Sequence, residues 1–294
     1  VSDEVLGDAG REGEVEERML RLVVVFDGSG VIYAPFRIIK DMARGITKRC
    51  RVSGITCTDR LKTGAMVILK TRYDEMLEQE DPSKVLADLL REKKIENKVI
   101  YKSEGVSDEE VLSAISKDKS VKLGDVHGVV ALLRRCDILP VLGIGLIMDM
   151  AKERVRYVIA GGINLFPGTL TLLRELREWG VQTFIASGDR IEREEMASYL
   201  PDVEPEHIFG TMKPEEKREL VRRLKETHKV IMVGDDRNDY LAMCEADVVV
   251  LSLQEAADRP KELFDVADFR INDISEVRGI VREMRGIRNE RLEG

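Results

Sequence analysis

The run Leu22-Val23-Val24-Val25-Phe26 ends directly on Asp27-Gly28-Ser29-Gly30. Five consecutive apolar residues, mostly β-branched or aromatic and without polar alternation, predict a strand covered on both faces, as in a parallel sheet. Ligands of open α/β sheets gather at the carboxyl ends of such strands. Asp27 stands at such an end, and Gly28 and Gly30 let the backbone turn sharply and approach a ligand. Read alone, the stretch also fits an aspartate that caps a turn, because Asp-Gly is ordinary turn chemistry.

Two later stretches repeat the arrangement. Residues 181–186 are expected to run as a strand into Ser187-Gly188-Asp189, and 230–233 into Gly234-Asp235-Asp236-Arg237-Asn238-Asp239. A helix at 214–227 separates them, and another opens at Pro167-Gly168 and stops at Gly180. Helix at 242–246, a strand at 248–251 and an edge strand at 268–271 continue the alternation. Strands alternating with helices of this length predict an α/β fold, a doubly wound, Rossmann-like parallel sheet.

The composition changes between the first strand and residue 149, which reads as an inserted α+β cap domain over 36–149. The core then comprises 18–35 and 150–294, and 1–17 form a flexible N-terminal arm without a hydrophobic period. Phe36, Ile39, Met42 and Ile46 have helical spacing, so 36–49 is expected to be a helix. Further helices are expected at 74–94, 107–116 and 125–135, with a strand at 98–101. Ser107 and Glu110 fit a capping box. Residues 141–147 and 155–159 read as a β-hairpin returning to the core. A charged helix over 274–293 carries Val277, Ile280, Val281, Met284 and Ile287 on one side.

The net charge is −8, which disfavours a nucleic-acid backbone as partner unless a local basic patch dominates. No apolar stretch approaches the roughly 20 residues that span a bilayer, so no membrane partner is expected. The cysteines Cys50, Cys57, Cys136 and Cys244 lack metal-ligand spacing and read as free thiols of a reducing, cytoplasmic compartment. His127, His207 and His228 share no metal spacing either. The oligomeric state is not legible.

Parallel strands end at one edge of a sheet, so the three polar clusters can converge. Their chemistry suits phosphoryl transfer on a small phosphorylated substrate. Asp27 can attack phosphorus as a carboxylate nucleophile. Asp235, with Asp27, can hold Mg²⁺, a hard ion that prefers oxygen ligands. Ser187 and the Gly188 amide can donate to the phosphoryl oxygens, a lysine from the helix after Met212 can neutralise their charge, and Asp239 can orient that lysine.

With these residues the chain resembles the haloacid dehalogenase superfamily, and within it the phosphorylation domain of P-type ATPases. Asp27-Gly28-Ser29-Gly30-Val31 is similar to the pumps' Asp-Lys-Thr-Gly-Thr, and Ser187-Gly188-Asp189 to their Thr-Gly-Asp. Pro214-Glu215-Glu216-Lys217 resembles Pro-Glu-Asp-Lys, and Gly234 to Asp239 resembles Gly-Asp-Gly-Val-Asn-Asp. The resemblance implies that Asp27 is phosphorylated, that the Ser29 carbonyl and Asp235 ligate Mg²⁺, that Ser187 binds phosphate, and that Asp236, Asn238 and Asp239 support them. The pump-like alignment selects Lys217 as the phosphate lysine, whereas the Lys-Pro pair of small phosphatases selects Lys213. Ser29 occupies the position where most phosphatases of the superfamily carry a second aspartate as acid and base. The expected function is a Mg²⁺-dependent phosphatase or phosphotransferase acting through an aspartyl-phosphate. The alternative is a catalytically weak binding or regulatory protein that keeps the phosphate site. The insert shows no convincing nucleotide signature.

Overall fold

The computed structural model describes residues 21–78, 81–136, 138–255 and 258–286. The expected arm over 1–17 and the end of the helix expected over 274–293 lie outside them. In chain order the strands are β1 (Leu22–Phe26), β2 (Tyr33–Asp41), β3 (Ile46–Cys50), β4 (Gly64–Leu69), β5 (Asn97–Lys102), β6 (Leu139–Asp149), β7 (Arg154–Leu165), β8 (Gln182–Ala186), β9 (Ile208–Phe209), β10 (Lys229–Gly234), β11 (Val248–Ser252) and β12 (Phe269–Ile271). The chain forms two compact units. The described residues up to Ala34 and from Leu165 onward make one, and Pro35–Asn164 the other.

The first unit is built on a sheet in the order β12-β11-β10-β1-β8-β9. Every pairing in it is parallel. β1 is central and wholly buried, which is why its sequence shows no alternation. Val23 and Val25 pack with Phe184, Val230, Met232, Val249 and Leu251, while Val24 and Phe26 are equally buried. Each such side chain contributes on the order of 1.5–3 kcal/mol by leaving water. The Phe166 amide donates to the Ile32 carbonyl at 3.0 Å, next to the point where the chain leaves this unit.

The second unit is α+β, with strand order β3-β2-β7-β6-β4-β5. β2 pairs with β3, β4 with β5 and β6, and β6 with β7, all antiparallel. Helices Tyr73–Leu77, Leu86–Glu92, Asp108–Lys117 and Leu123–Arg135 supply most of its main core. Ser107 and Glu110 form the expected capping box at 3.2 and 2.8 Å.

Residues 36–49 are a hairpin rather than a helix. The Asp41 carboxylate takes the amides of Ala43 and Arg44, and Gly45 has φ +67°, which closes the turn. Ile38 and Ile39 then point into different cores, one on each face of the sheet. A strand covered on both sides has no polar alternation, so its apolar residues can mimic helical spacing. The hairpin expected near 141–159 forms, but β6 and β7 belong to the antiparallel sheet, and the second unit extends to Asn164. The helix expected at 74–94 is two helices, since Pro82 lacks the amide a helix interior needs.

Candidate active site

β1, β8 and β10 lie side by side and end at the same edge, so Asp27, Ser187 and Asp235 follow neighbouring strands. The Asp27 amide donates to the Val233 carbonyl at 2.9 Å, which ties the first cluster to β10. Beyond Asp27 the chain folds on itself. The Gly28 carbonyl accepts from the amides of Ile32 and Tyr33 at 2.8 and 3.0 Å, and Gly30 takes φ +78°.

The glycines are there for proximity. A Cβ on Gly28 would stand 2.7 Å from the Ser187 hydroxyl, and one on Gly30 only 2.0 Å from an Asp235 carboxylate oxygen. Neither side chain could stay in place beside an alanine.

Lys217 comes from the helix Pro214–Lys225. Pro214 opens that helix, Glu215 and Glu216 occupy its first turn, and Arg222, Arg223 and Lys225 its last, all favourable to the helix dipole. Lys217 and Val221 are four residues apart on its inward face, so both are buried. The Lys217 ammonium donates to Asp27 Oδ1 at 2.5 Å and to Asp239 Oδ1 at 2.7 Å. Lys213 precedes the helix, is exposed, and forms no ion pair among the described residues.

Asp239 is fully committed. Its other oxygen accepts the Asp235 amide at 3.0 Å and the Asp236 amide at 3.5 Å. Asp236 is exposed and caps the short turn Arg237–Asp239. The Oδ1 of Asn238 is buried and has no hydrogen-bond partner among the described residues. Gly188 lies close to that side chain, since a Cβ on it would be 3.4 Å from Asn238 Nδ2. The Ser29 hydroxyl makes no hydrogen bond among the described residues, although its backbone bridges to Tyr33.

Two residues escaped the sequence reading. The Tyr33 phenol shares a hydrogen bond with Ser187 Oγ at 2.9 Å and donates to Asp189 at 3.0 Å. Burial and the Asp189 charge hold that phenol well above its usual range, so it is a neutral donor. Arg259, whose side chain is buried, places Nη2 2.9 Å from Asp235 Oδ2. No motif marks either one; Tyr33 sits just past a glycine loop.

Burial and the Asp239 charge push Asp27 well above the ordinary carboxylate range, although Lys217 pulls it back. Burial and Asp239 likewise push Asp235 up to about 7, against the pull of Arg259. Burial opposes the charge on Lys217, but Asp239 and Asp27 outweigh it and keep the ammonium protonated. Three buried carboxyl groups face two cations, and Asp27 and Asp235 hold their protons more tightly than ordinary carboxyls do, so a bound metal would take the place of those protons. Ligand oxygens of Asp27, Asp235 and Asp239 lie within 4.8 Å of one another. With Asp239 held by Lys217 and two amides, Asp27 and Asp235 are the pair open to a metal. An all-oxygen set of this charge fits a hard divalent cation.

Around this edge, Thr211 adopts φ +60°, a left-handed backbone that costs a β-branched residue on the order of 1–3 kcal/mol. Its amide donates to the Asp189 carbonyl at 2.7 Å, and that of Met212 to the Ser187 carbonyl at 2.9 Å. Those bonds fix the start of the lysine helix against the Ser187-Gly188-Asp189 loop. Among the described residues no helix is long and apolar enough to cross a membrane.

The chain is 30% identical over 266 residues to the soluble P-type ATPase-like phosphatase of Methanocaldococcus jannaschii, covering 90% of this chain and 94% of that protein. A shorter stretch of 125 residues is 32% identical to the potassium-transporting ATPase ATP-binding subunit of Halobacterium salinarum, covering 41% of this chain and 17% of that one. Among solved structures, a zinc-transporting PIB-type ATPase in its E2.Pi state superposes with TM-score 0.46 at 18% identity, over 96% of this chain and 45% of that chain. The chain thus spans less than half of each of these transport ATPases. A family model described as haloacid dehalogenase-like hydrolase matches residues 22–247, and the chain belongs to that family as a phosphohydrolase.

Proposed function

We propose that the protein is a metal-dependent phosphatase or phosphotransferase that acts on a small phosphorylated substrate through a phosphorylated Asp27. The observation that carries this reading is the contact of Lys217 with both Asp27 and Asp239, at 2.5 and 2.7 Å, beside the Ser187 hydroxyl loop. Asp239 fixes the lysine, and the lysine fixes the carboxylate.

In the first step an Asp27 oxygen attacks phosphorus and the bond to the leaving oxygen breaks, its electron pair departing with that oxygen, which takes a proton from water. Ser187 and the Gly188 amide donate to the phosphoryl oxygens, and Lys217 balances their charge. Asp27 and Asp235 would hold Mg²⁺, which supplies further charge neutralisation when bound. In the second step water, or a hydroxyl acceptor, attacks the same phosphorus and loses its proton to solvent, while the bond to Asp27 breaks and its electron pair returns to the carboxylate.

Ser29 cannot exchange a proton near neutral pH, so neither step has a side-chain acid at that position. This favours a longer-lived phospho-enzyme over rapid hydrolysis. The second unit, Pro35–Asn164, supplies substrate selection as a cap.

The test is incubation with Mg²⁺ and p-nitrophenyl phosphate, acetyl phosphate or ATP, reading released and covalently bound phosphate beside Asp27→Asn. Release or labelling that vanishes in the variant supports the proposal. Full activity of Asp27→Asn on any of these would overturn it. Tight phosphate binding without turnover or labelling would favour a binding or regulatory protein.

A further inference from the structure

Between Arg37 and Lys62 the chain carries eight Lys and Arg residues against two acids, in a protein whose net charge is −8. The fold gathers five of these eight cations in one place. Arg44, Lys48, Arg49, Arg51, Arg60 and Arg156 line one cavity of about 340 Å³, wholly within the second unit. Ile39 and Tyr157 contribute apolar walls to it.

One carboxylate lines the cavity, and it is already engaged. Asp41 takes Arg156 through both oxygens, at 2.7 and 2.8 Å, as well as the amides of Ala43 and Arg44. Arg49 lies over the Phe36 ring, 4.4 Å from its centre. Lys48, Arg51 and Arg60 form no ion pair or side-chain hydrogen bond among the described residues. Like charges gathered in a concave site repel one another and concentrate a positive field there.

Why these residues meet follows from the hairpin. β3 places Lys48 and Cys50 on one face, and the helix Gly54–Asp59, packed on that face through Cys57, sets Arg60 beside them. Arg156 comes from β7, the strand next to β2. Three separate segments thus supply one sign of charge to one hollow.

We propose that this hollow is a binding site for a compact polyanion bearing two or more phosphate groups, separate from the phosphoryl-transfer centre. Guanidinium groups present planar pairs of donors that match phosphate oxygens. The cavity lies at the small end of the range for ligand pockets, roughly 300–1,000 Å³, so it suits a small molecule. A nucleic acid would call for an open basic track rather than a hollow. Because every lining residue lies in Pro35–Asn164, binding here does not depend on Asp27 or Lys217.

Inorganic pyrophosphate is the probe, titrated without metal into the full chain by calorimetry at low and moderate salt. The comparison is a Lys48→Glu, Arg51→Glu, Arg60→Glu triple variant. A control carries Lys93→Glu, Lys98→Glu and Lys117→Glu, which are equally exposed and change the net charge equally. Hydrogen exchange locates the site independently of affinity. The pocket variant is expected to weaken binding by about tenfold or more while the control keeps it, and pyrophosphate is expected to protect peptides over 33–60. The same protection is expected in Asp27→Asn, so this proposal and the catalytic one can fail separately. Equal weakening in both triple variants, protection confined to 187–217, or tighter binding of an oligonucleotide than of pyrophosphate would each overturn it.

Discussion

Tyr33 and Ser187, far apart in the chain, share a 2.9 Å hydrogen bond, and the phenol also donates to Asp189. The tyrosine therefore positions the hydroxyl assigned to phosphate. Tyr33→Phe removes that contact without changing shape. Loss of about 1 kcal/mol of stability is expected. Phosphate affinity, read as KM or as inhibition by inorganic phosphate, is expected to weaken severalfold, with kcat affected less. An unchanged KM beside a reduced kcat would contradict the positioning role.

The two candidate lysines differ in surroundings. Lys217 is wholly buried between two carboxylates and Lys213 is exposed. Lys217→Ala is expected to lower kcat by about 10²–10³-fold. Lys213→Ala is expected to stay within about twofold of the wild type, since surface changes have small effects. Comparable losses in the two variants would return the assignment to an open question. Circular dichroism separates catalysis from unfolding in Lys217→Ala, which leaves Asp27 and Asp239 facing each other unneutralised.

Asp235 gives a stability signature that needs no substrate. Its carboxyl is pushed up to about 7 by burial and the Asp239 charge. An acid raised in the folded state stabilises fully below its ordinary value and loses that contribution as pH rises through the folded one. Without metal, the melting temperature is expected to fall between about pH 4 and 7, and to fall less in Asp235→Asn. Mg²⁺ is expected to restore the loss at the upper end in the wild type alone. Parallel melting curves for the two proteins across that range would rule this out.

Arg259 sits on the oxygen that a cation would use, with Nη2 2.9 Å from Asp235 Oδ2. Arg259→Gln removes a competing charge. Mg²⁺ affinity, measured by calorimetry, is expected to rise severalfold. Weaker binding in that variant would mean that the guanidinium holds the carboxylate in its ligating position instead.

Gly30 offers a way to disable the metal pair while leaving every charge in place. Its φ of +78° and the 2.0 Å approach of Asp235 to a would-be Cβ both forbid alanine. Gly30→Ala is expected to cost about 1–3 kcal/mol and to weaken Mg²⁺ binding by about tenfold or more. Retained affinity would show that Asp235 is not a ligand.

The parallel sheet was legible because its strands are buried on both faces and read as unbroken apolar runs ending in polar clusters. Asp27, Ser187 and Asp235 inherit their convergence from that rule. The capping box at Ser107 was legible for a similarly local reason. The β2–β3 hairpin was not, because Ile38 and Ile39 serve opposite cores and erase the period that separates strand from helix. Tyr33 and Arg259 were invisible for a different reason. A single side chain becomes part of a site only through a distant partner, and no local spacing records that meeting.

The hydrogen bond from Phe166 to Ile32 pins the chain's departure from the first unit to its return. No strand of the parallel sheet comes from Pro35–Asn164. The second unit is therefore an insertion between Ala34 and Leu165, and replacing it with a short linker would leave each parallel pairing intact. Such an insertion lets evolution, or an engineer, exchange one inserted domain for another while the parallel sheet is inherited unchanged.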